Sequence, residues 1–295
     1  MVTGGAGFIG HHLVRSLRQR GSEVLVVDDL STGLEERIPE GVRFERLDLA
    51  STDPGDLLRS WRPSAVYHLA AQASVARSEL DPEADLLVNG LATLRLVRAA
   101  AANGVGRFLF VSSGGAVYGE TVAPATEETL PKPASAYGAH KLLGEAYVAL
   151  SGLSYAVARP SNVYGPGQAG GLEGAVVAAF VEAAQSGSAL VVHGDGTQER
   201  DFIDVADVVD ALLLLGAVDD EGIWNVSSGS STTVGELAQM VEREANLELH
   251  RSSGPARPGD VQRSRISNAK LRRLGWAPRI GLVHGLRALV DRSGS

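Results

Sequence analysis

Short apolar runs alternate with amphipathic stretches along the first half of this chain. The runs Glu23–Asp28, Val42–Leu47, Ala65–Leu69, Phe108–Ser112 and Tyr155–Arg159 read as buried strands. Leu13, Val14 and Leu17 recur at helical spacing, and longer helices are predicted over Leu86–Asn103 and Ala136–Ser151. Gly104 suits the left-handed stop of the first long helix. Pro133 and Ser135 suit the start of the second, with Ser135 as its cap. Strands separated by helices predict an α/β class, a Rossmann-type doubly wound parallel sheet with helices on both faces. Beyond about residue 160 the pattern changes, with Gly165-Pro-Gly-Gln and Gly170-Gly171 opening a loop-rich stretch of shorter elements. Residues 1–160 are therefore expected to form the sheet domain. Residues 161–295 are expected to form mainly a smaller C-terminal lobe, which no linker marks as a contiguous independent domain. Repeats and low-complexity tracts are absent.

The turn after the first strand carries the first chemical signal. Thr3 to Gly10 reads T-G-G-A-G-F-I-G, with Gly4, Gly7 and Gly10 three apart where a strand should pass into a helix. Glycine tolerates positive φ there and lets the backbone approach a pyrophosphate, which then rests on N–H groups at the helix N-terminus. The following strand ends in Asp28, 24 residues after Gly4, near the spacing of a carboxylate that takes the adenosine ribose hydroxyls. A carboxylate at that place repels a 2′-phosphate, so NAD is expected rather than NADP. Only Met1 and Val2 precede Thr3, which implies either a truncated first strand or a start codon placed too late.

Composition narrows the field. A formal charge of −8 argues against nucleic-acid or anionic-membrane partners. The chain has no cysteine, which excludes disulfides, thiolate metal sites and cysteine nucleophiles. The longest apolar run, around Ala211 to Leu215, is too short for a bilayer and is preceded by Asp210. No basic-then-apolar leader opens the chain, so a cytoplasmic enzyme is expected.

Tyr137 and Lys141 lie four apart on a predicted helix and share a face. A phenol with a reference pKa of about 10 is a poor base at neutral pH. A neighbouring ammonium, helped by the positive ring of an oxidised nicotinamide, favours the phenolate. A drop of about three pKa units corresponds to about 4 kcal/mol of differential stabilisation. The strand ending in Ser112-Ser113-Gly114-Gly115 shortly before Tyr137 supplies hydroxyls to the same region. His11 and His12 open the first helix, His68 closes a strand, and His140 precedes Lys141. No pair has metal spacing with an acidic third ligand, so no metal is expected.

The ordered series T-G-G-A-G-F-I-G, Val27-Asp-Asp-Leu-Ser-Thr-Gly33, Asp48-Leu49, His68-Leu-Ala-Ala71, Val88-Asn-Gly90, Ala116-Val-Tyr-Gly119 and Tyr137…Lys141 spans the sheet domain. It continues as Arg159…Asn162-Val-Tyr-Gly-Pro166, Gly194-Asp-Gly-Thr…Arg200-Asp201 and Arg257-Pro-Gly-Asp260. This series resembles the extended short-chain dehydrogenase/reductase superfamily and, within it, the NAD-dependent nucleotide-sugar epimerase/dehydratase family, most of all its UDP-glucose 4-epimerase branch. The resemblance implies that Gly4, Gly7, Phe8, Ile9 and Gly10 hold the pyrophosphate of NAD. It places Asp28, Asp29, Ser31, Thr32 and Gly33 at the adenosine ribose, and Asp48 and Leu49 beside the adenine. Leu69, Ala70, Ala71, Asn89 and Ser112 line the path to the nicotinamide, with Tyr137 and Lys141. Asn162, Arg200, Arg257 and Asp260 are implied to grip the nucleotide diphosphate and ribose of a sugar donor, which arginine does through planar, charge-assisted bonds. Arg200 beside Asp201 also reads as a surface pair, and Asp260 as a turn cap, as the lesser alternatives.

The family places a Ser or Thr three residues before the Val-Tyr-Gly, where it hydrogen-bonds the sugar 4-hydroxyl. Here that position is Gly114, so Ser113 is expected to replace the hydroxyl, with Ser112 as the weaker choice. The acids with which the family's dehydratases remove water are missing from Gly114-Gly115-Ala116. The expected reaction is an NAD-dependent 4-epimerisation of a nucleotide-diphosphate hexose through a transient 4-keto sugar. A 4-ketoreductase or decarboxylase of the same fold, or a catalytically silent NAD-binding protein, remains open on the residues alone. Family resemblance further implies a homodimer through the two long helices. It also places Ser264, four positions after Asp260, where a small side chain leaves room for an N-acetyl group.

Overall fold

A computed structural model describes residues 1–169, 175–255 and 261–291 of the chain. Its centre is a seven-stranded sheet of β1 (Val2–Thr3), β2 (Leu25–Asp28), β3 (Arg43–Arg46), β4 (Ala65–His68), β5 (Arg107–Val111), β6 (Tyr155–Pro160) and β7 (Gly222–Val226). The spatial order is β7-β6-β5-β4-β1-β2-β3, with every pairing parallel. Parallel strands covered on both faces must be apolar throughout. All residues of β2 and β5 are accordingly buried.

Alternation along these strands divides the core into two layers. Val26, Leu109 and Val111 point to one face, against Leu13 and Val14 of α1 (Phe8–Gln19) and a run from Val208 to Leu215. Leu25, Val27, Phe108 and Phe110 point to the other, against Leu96, Val97 and Ala100 of α2 (Ala92–Ala102) and Val148 of α3 (Ala136–Ala149). The segment Val208–Leu215 belongs to α4 (Val205–Ala217), which leads into β7. Residues beyond 160 therefore complete both the sheet and its cover. Several of their other elements gather around a separate cluster that includes Phe180, Val181, Leu190, Leu237, Val241 and Leu286.

The expected strands are all present, with ends that differ by no more than two residues, and β1 and β7 join them. The expected helix Leu86–Asn103 is not continuous. Residues Leu86–Leu91 form a wider π turn between Pro82–Asp85 and α2. Such turns insert one residue and are common at functional sites. Gly104 takes φ +68°, and the Ser135 side chain accepts from Gly138 N–H, as expected for a stop and a cap.

Strand order reverses at β1, which lies between β4 and β2, and ligands of open α/β sheets bind beyond the carboxyl ends of strands at such a switch. A buried ion pair fixes this end of the sheet. Arg159 of β6 clasps Glu145 of α3 through both Nε, at 2.9 Å, and its terminal nitrogen. Ser112, directly after β5, donates to the same carboxylate. Truncating one partner of a buried pair strands the other charge, so Glu145→Ala should lower unfolding stability by about 3–5 kcal/mol. Urea unfolding near neutral pH measures this, and a loss below about 1 kcal/mol would mean that the pair does not hold β6 to α3.

Candidate active site

Three segments meet at the switch point. The first is the glycine turn, where Gly4 adopts φ +69° directly beneath the chain following β4. A Cβ at Gly4 would lie 2.6 Å from Ala70 N, and one at Gly10 would lie 2.0 Å from Gly4 O. Only glycine permits this approach. Gly7 caps α1 without a side-chain hydrogen bond, and the first turn has no acidic residue. The N–H groups around Phe8, Ile9 and Gly10 thus face outward at the positive end of a helix dipole, an arrangement suited to a pyrophosphate.

The second segment follows β2. Asp28 is buried, and its carboxylate accepts from Ala6 N–H and Leu30 N–H, both at 2.9 Å. Burial raises its pKa, while the two N–H donors act in the opposite sense. Gly33 sits so close that a Cβ would meet Asp28 Oδ1 at 2.8 Å. Asp29 accepts from the backbone and hydroxyl of Ser31 at the exposed rim, where Thr32 also lies. Asp48 binds Ala50 N–H and Ser51 Oγ, close behind the loop because Leu47 N–H donates to Asp28 O. The Leu49 side chain, expected beside the adenine, is packed in the core with Leu25 and Leu58.

The third segment carries the reactive groups. Tyr137 and Lys141 of α3 are both buried. The α3 N-terminus is held by Ser78 Oγ, which accepts from Tyr137 N–H, and by Glu79, which accepts from Ala136 N–H. Ser113 acts on the Tyr137 phenol in the sense that favours its anion. At Gly114, where the family hydroxyl would stand, a Cβ would meet Ile266 Cδ1 at 2.3 Å, so a side chain there requires Ile266 to shift. Ser112 was expected to face the cofactor. Its hydroxyl instead donates to Glu145 in the buried pair, which turns it away from that role.

The electrostatics correct a second expectation. Burial pushes the Tyr137 phenol up to about 12; Ser113 opposes this and the Asp85 charge adds to it. Lys141 falls to about 8 through burial, with Glu145 and Asp85 opposing. The ammonium lies 4.4 Å from the Phe110 ring centroid and is not among the groups that lower the phenol. Desolvation therefore outweighs the expected Tyr–Lys attraction within the chain itself.

Asn89, in the π turn, is buried. Its Nδ2 donates to Gln72 O and Asp85 Oδ1, whereas its Oδ1 is buried with no hydrogen-bond partner. A buried acceptor of that kind is costly unless a ligand completes it. With the uncapped helix start and the glycine cradle, it makes this site fit a dinucleotide carrying a nicotinamide. Leu69, Ala70 and Ala71, half-buried, lead from β4 toward it.

Beyond the nicotinamide end, the structure brings Asn162 and Ser264 to Gly115. A Cβ on Gly115 would lie 3.2 Å from Ser264 Oγ and 3.9 Å from Asn162 Oδ1. Ser264 is paired in register with Arg200 in a small ladder, and both are buried. Asp201 forms no surface pair with Arg200: it is buried and accepts from Ser161 Oγ, Ser228 N–H and Gly229 N–H. Arg257 and Asp260 lie outside the described residues. Among those described, no group of three or more His, Asp or Glu side chains is placed to hold a metal ion.

A model of the NAD-dependent epimerase/dehydratase family matches residues 1–227. The chain belongs to this family. Over 99% of its length it is 39% identical to 97% of a UDP-glucose 4-epimerase from Mycolicibacterium smegmatis. A crystal structure of Thermus thermophilus UDP-glucose 4-epimerase complexed with NAD superposes with a TM-score of 0.96 at 40% identity, covering 100% of this chain and 98% of that one. The Thermotoga maritima UDP-glucose 4-epimerase with UDP-glucose gives 0.94 at 38% identity, covering 98% and 96%.

Within the family site, sequence reasoning missed Gln72, Asp85 and His140. Asp85 binds Gln72, Asn89 and His140, the last at 2.6 Å. The spacing Asp85-x-x-x-Asn89 was the available signal, since it sets both on one helical face. The geometry separates the two serines by their partners. Ser113→Ala should lower turnover by about a hundredfold, the low end of what loss of a proton-transfer partner costs, with the fold retained. Ser112→Ala should reduce stability more than turnover. Steady-state rates beside melting curves test this, and equal rate losses in the two variants would contradict it.

Proposed function

We propose that the chain is an NAD-dependent 4-epimerase of nucleotide-diphosphate hexoses of the UDP-glucose/UDP-galactose type. The observation that carries this reading is the pair Tyr137 and Lys141, both buried and one helical turn apart on α3, with the glycine cradle at the same end of the sheet and Ser113 acting on the phenol in the sense that favours its anion. Residues 1–160 mainly hold the dinucleotide; residues 161–295 mainly hold the sugar nucleotide.

NAD, when bound, supplies reversible hydride acceptance at sugar carbon 4 and a positive ring charge. Tyr137 takes the 4-hydroxyl proton, with Ser113 bridging phenol and hydroxyl. The positive charges of Lys141 and the nicotinamide offset the burial cost of the phenolate. The sugar then exists as a 4-keto species, held by its nucleotide diphosphate and ribose through Asn162, Arg200, Arg257 and Asp260. Turning within the pocket presents the other face, and Tyr137 returns the proton. No net oxidation results. Water exclusion matters here, because a leaked intermediate would end the cycle. Tyr137→Phe removes only the phenolic oxygen and should cut turnover by about a hundredfold to ten-thousandfold with NAD still bound. More than a tenth of parental turnover would show that Tyr137 is not the base.

The pocket wall at Ser264 and Gly115 is small on both sides. N-acetylhexosamine donors should therefore be processed as well as plain hexoses, and Ser264→Tyr should lose the acetylated substrate selectively. Comparing UDP-galactose with UDP-N-acetylgalactosamine decides this, and an unchanged ratio in the variant would show that Ser264 is no gate.

Leu86 and Leu87 on the π turn, and Leu150 at the end of α3, are exposed apolar side chains on neighbouring helices. They suit a four-helix contact with a second copy. Among the described residues no helix is long and apolar enough to cross a membrane, and a cytoplasmic setting is proposed. Light scattering at micromolar concentration should give twice the 30.8 kDa chain mass, and a monomer mass would remove the contact.

A further inference from the structure

His68 closes β4 inside the protein, 1% exposed, and has no part in the reaction above. Two hydroxyls bracket its ring: Thr3 Oγ1 lies 2.7 Å from Nδ1, and Thr93 Oγ1 lies 3.0 Å from Nε2. The surroundings fix the direction of each bond. Thr93 donates its single hydroxyl hydrogen to Asn89 O at 2.8 Å, so it offers His68 only lone pairs. Nε2 must then carry the ring hydrogen and donate it. Burial pushes the imidazole down to about 3, and the Lys141 charge acts in the same sense, so the ring is neutral and Nδ1 is bare. Thr3 therefore donates to Nδ1, while its oxygen accepts from Ala70 N–H at 3.3 Å. Phe108 and Phe110 flank the ring, with centroids 6.2 and 5.6 Å away.

The result is a single one-way chain: Ala70 N–H to Thr3, Thr3 to His68, His68 to Thr93, and Thr93 to Asn89 O. Both ends reach the dinucleotide site. Ala70 N is the atom against which Gly4 packs, and Asn89 carries the buried Oδ1 acceptor. The chain holds Asn89 by its carbonyl, while Gln72 O and Asp85 hold its amide nitrogen. Only Oδ1 is left to meet a ligand donor. Reversing the His68 tautomer would set two acceptors against each other at Thr93, or would pull the Thr93 hydrogen off Asn89.

We propose that His68, locked as the Nε2–H tautomer, is a positioning residue that orients Asn89 and the Gly4–Ala70 contact and thereby sets how tightly the cofactor is retained. The proposal rests on the reading of this site as an NAD site, not on the identity of the sugar or on turnover. Two measurements test it in ways that failure of the epimerase reading would not affect. The first is 15N NMR of the His68 ring in NAD-loaded enzyme. Protonated Nε2 and bare Nδ1, unchanged from about pH 5 to about pH 8, are expected. The opposite tautomer, or titration in that range, would overturn the proposal. The second is NAD affinity by calorimetry. Thr93→Val should weaken it by about tenfold, the scale of one lost hydrogen bond, and Thr93→Ser should restore it. Unchanged affinity in a folded Thr93→Val protein would also overturn it. Should that variant fail to fold, the tautomer measurement alone decides.

Discussion

A base that is useful only as an anion sits where burial penalises charge. Tyr137 and Lys141 are both removed from water, and desolvation drives the phenol upward and the ammonium downward, each away from its charged form. Much of the surrounding structure bears on this constraint. Glu145 and Asp85 keep negative charge near Lys141 and favour its protonated state. Ser113 acts on the phenol in the opposite sense to burial and favours the phenolate. The chain alone leaves the balance on the neutral side, which links activity to a cationic cofactor ring.

The same pressure explains why the charged and titratable groups named here are paired. Glu145 takes Arg159 and Ser112; Asp85 takes Gln72, Asn89 and His140; His68 takes Thr3 and Thr93. Within a low-dielectric interior an unpaired group costs more than a paired one gains, so these networks rigidify the site. They also tie the three segments of the switch point to one another. Through Thr3 and His68 the first strand is coupled to the fourth, and through Thr93 both are coupled to the π turn.

Much of this was legible in the sequence. The parallel sheet followed from apolar runs separated by helices, because strands buried on both faces leave no polar alternation. The glycine turn, Asp28 and the Tyr137/Lys141 pair were legible from spacing, because each must reach a ligand from a fixed element. Less visible were features that depend on contacts between distant segments. The fate of Ser112 rests on a carboxylate 33 residues away, and nothing local distinguishes it from Ser113. The π turn leaves no periodic trace. Spacing alone misjudges the phenol's pKa, because a helical wheel shows Lys141 near Tyr137 but not how deeply both are buried. His68 reads as a mere strand end, since its partners at Thr3 and Thr93 come from other elements.

The central claim is that one buried site removes hydrogen from carbon 4 of the sugar and returns it to the opposite face without exchange. UDP-galactose carrying deuterium at carbon 4 tests this most directly, turned over by the purified enzyme with no cofactor added beyond what it retains. Product UDP-glucose that keeps the deuterium at carbon 4 is the predicted result. Loss of the label to solvent, or product formed only with stoichiometric added NADH, would contradict the account.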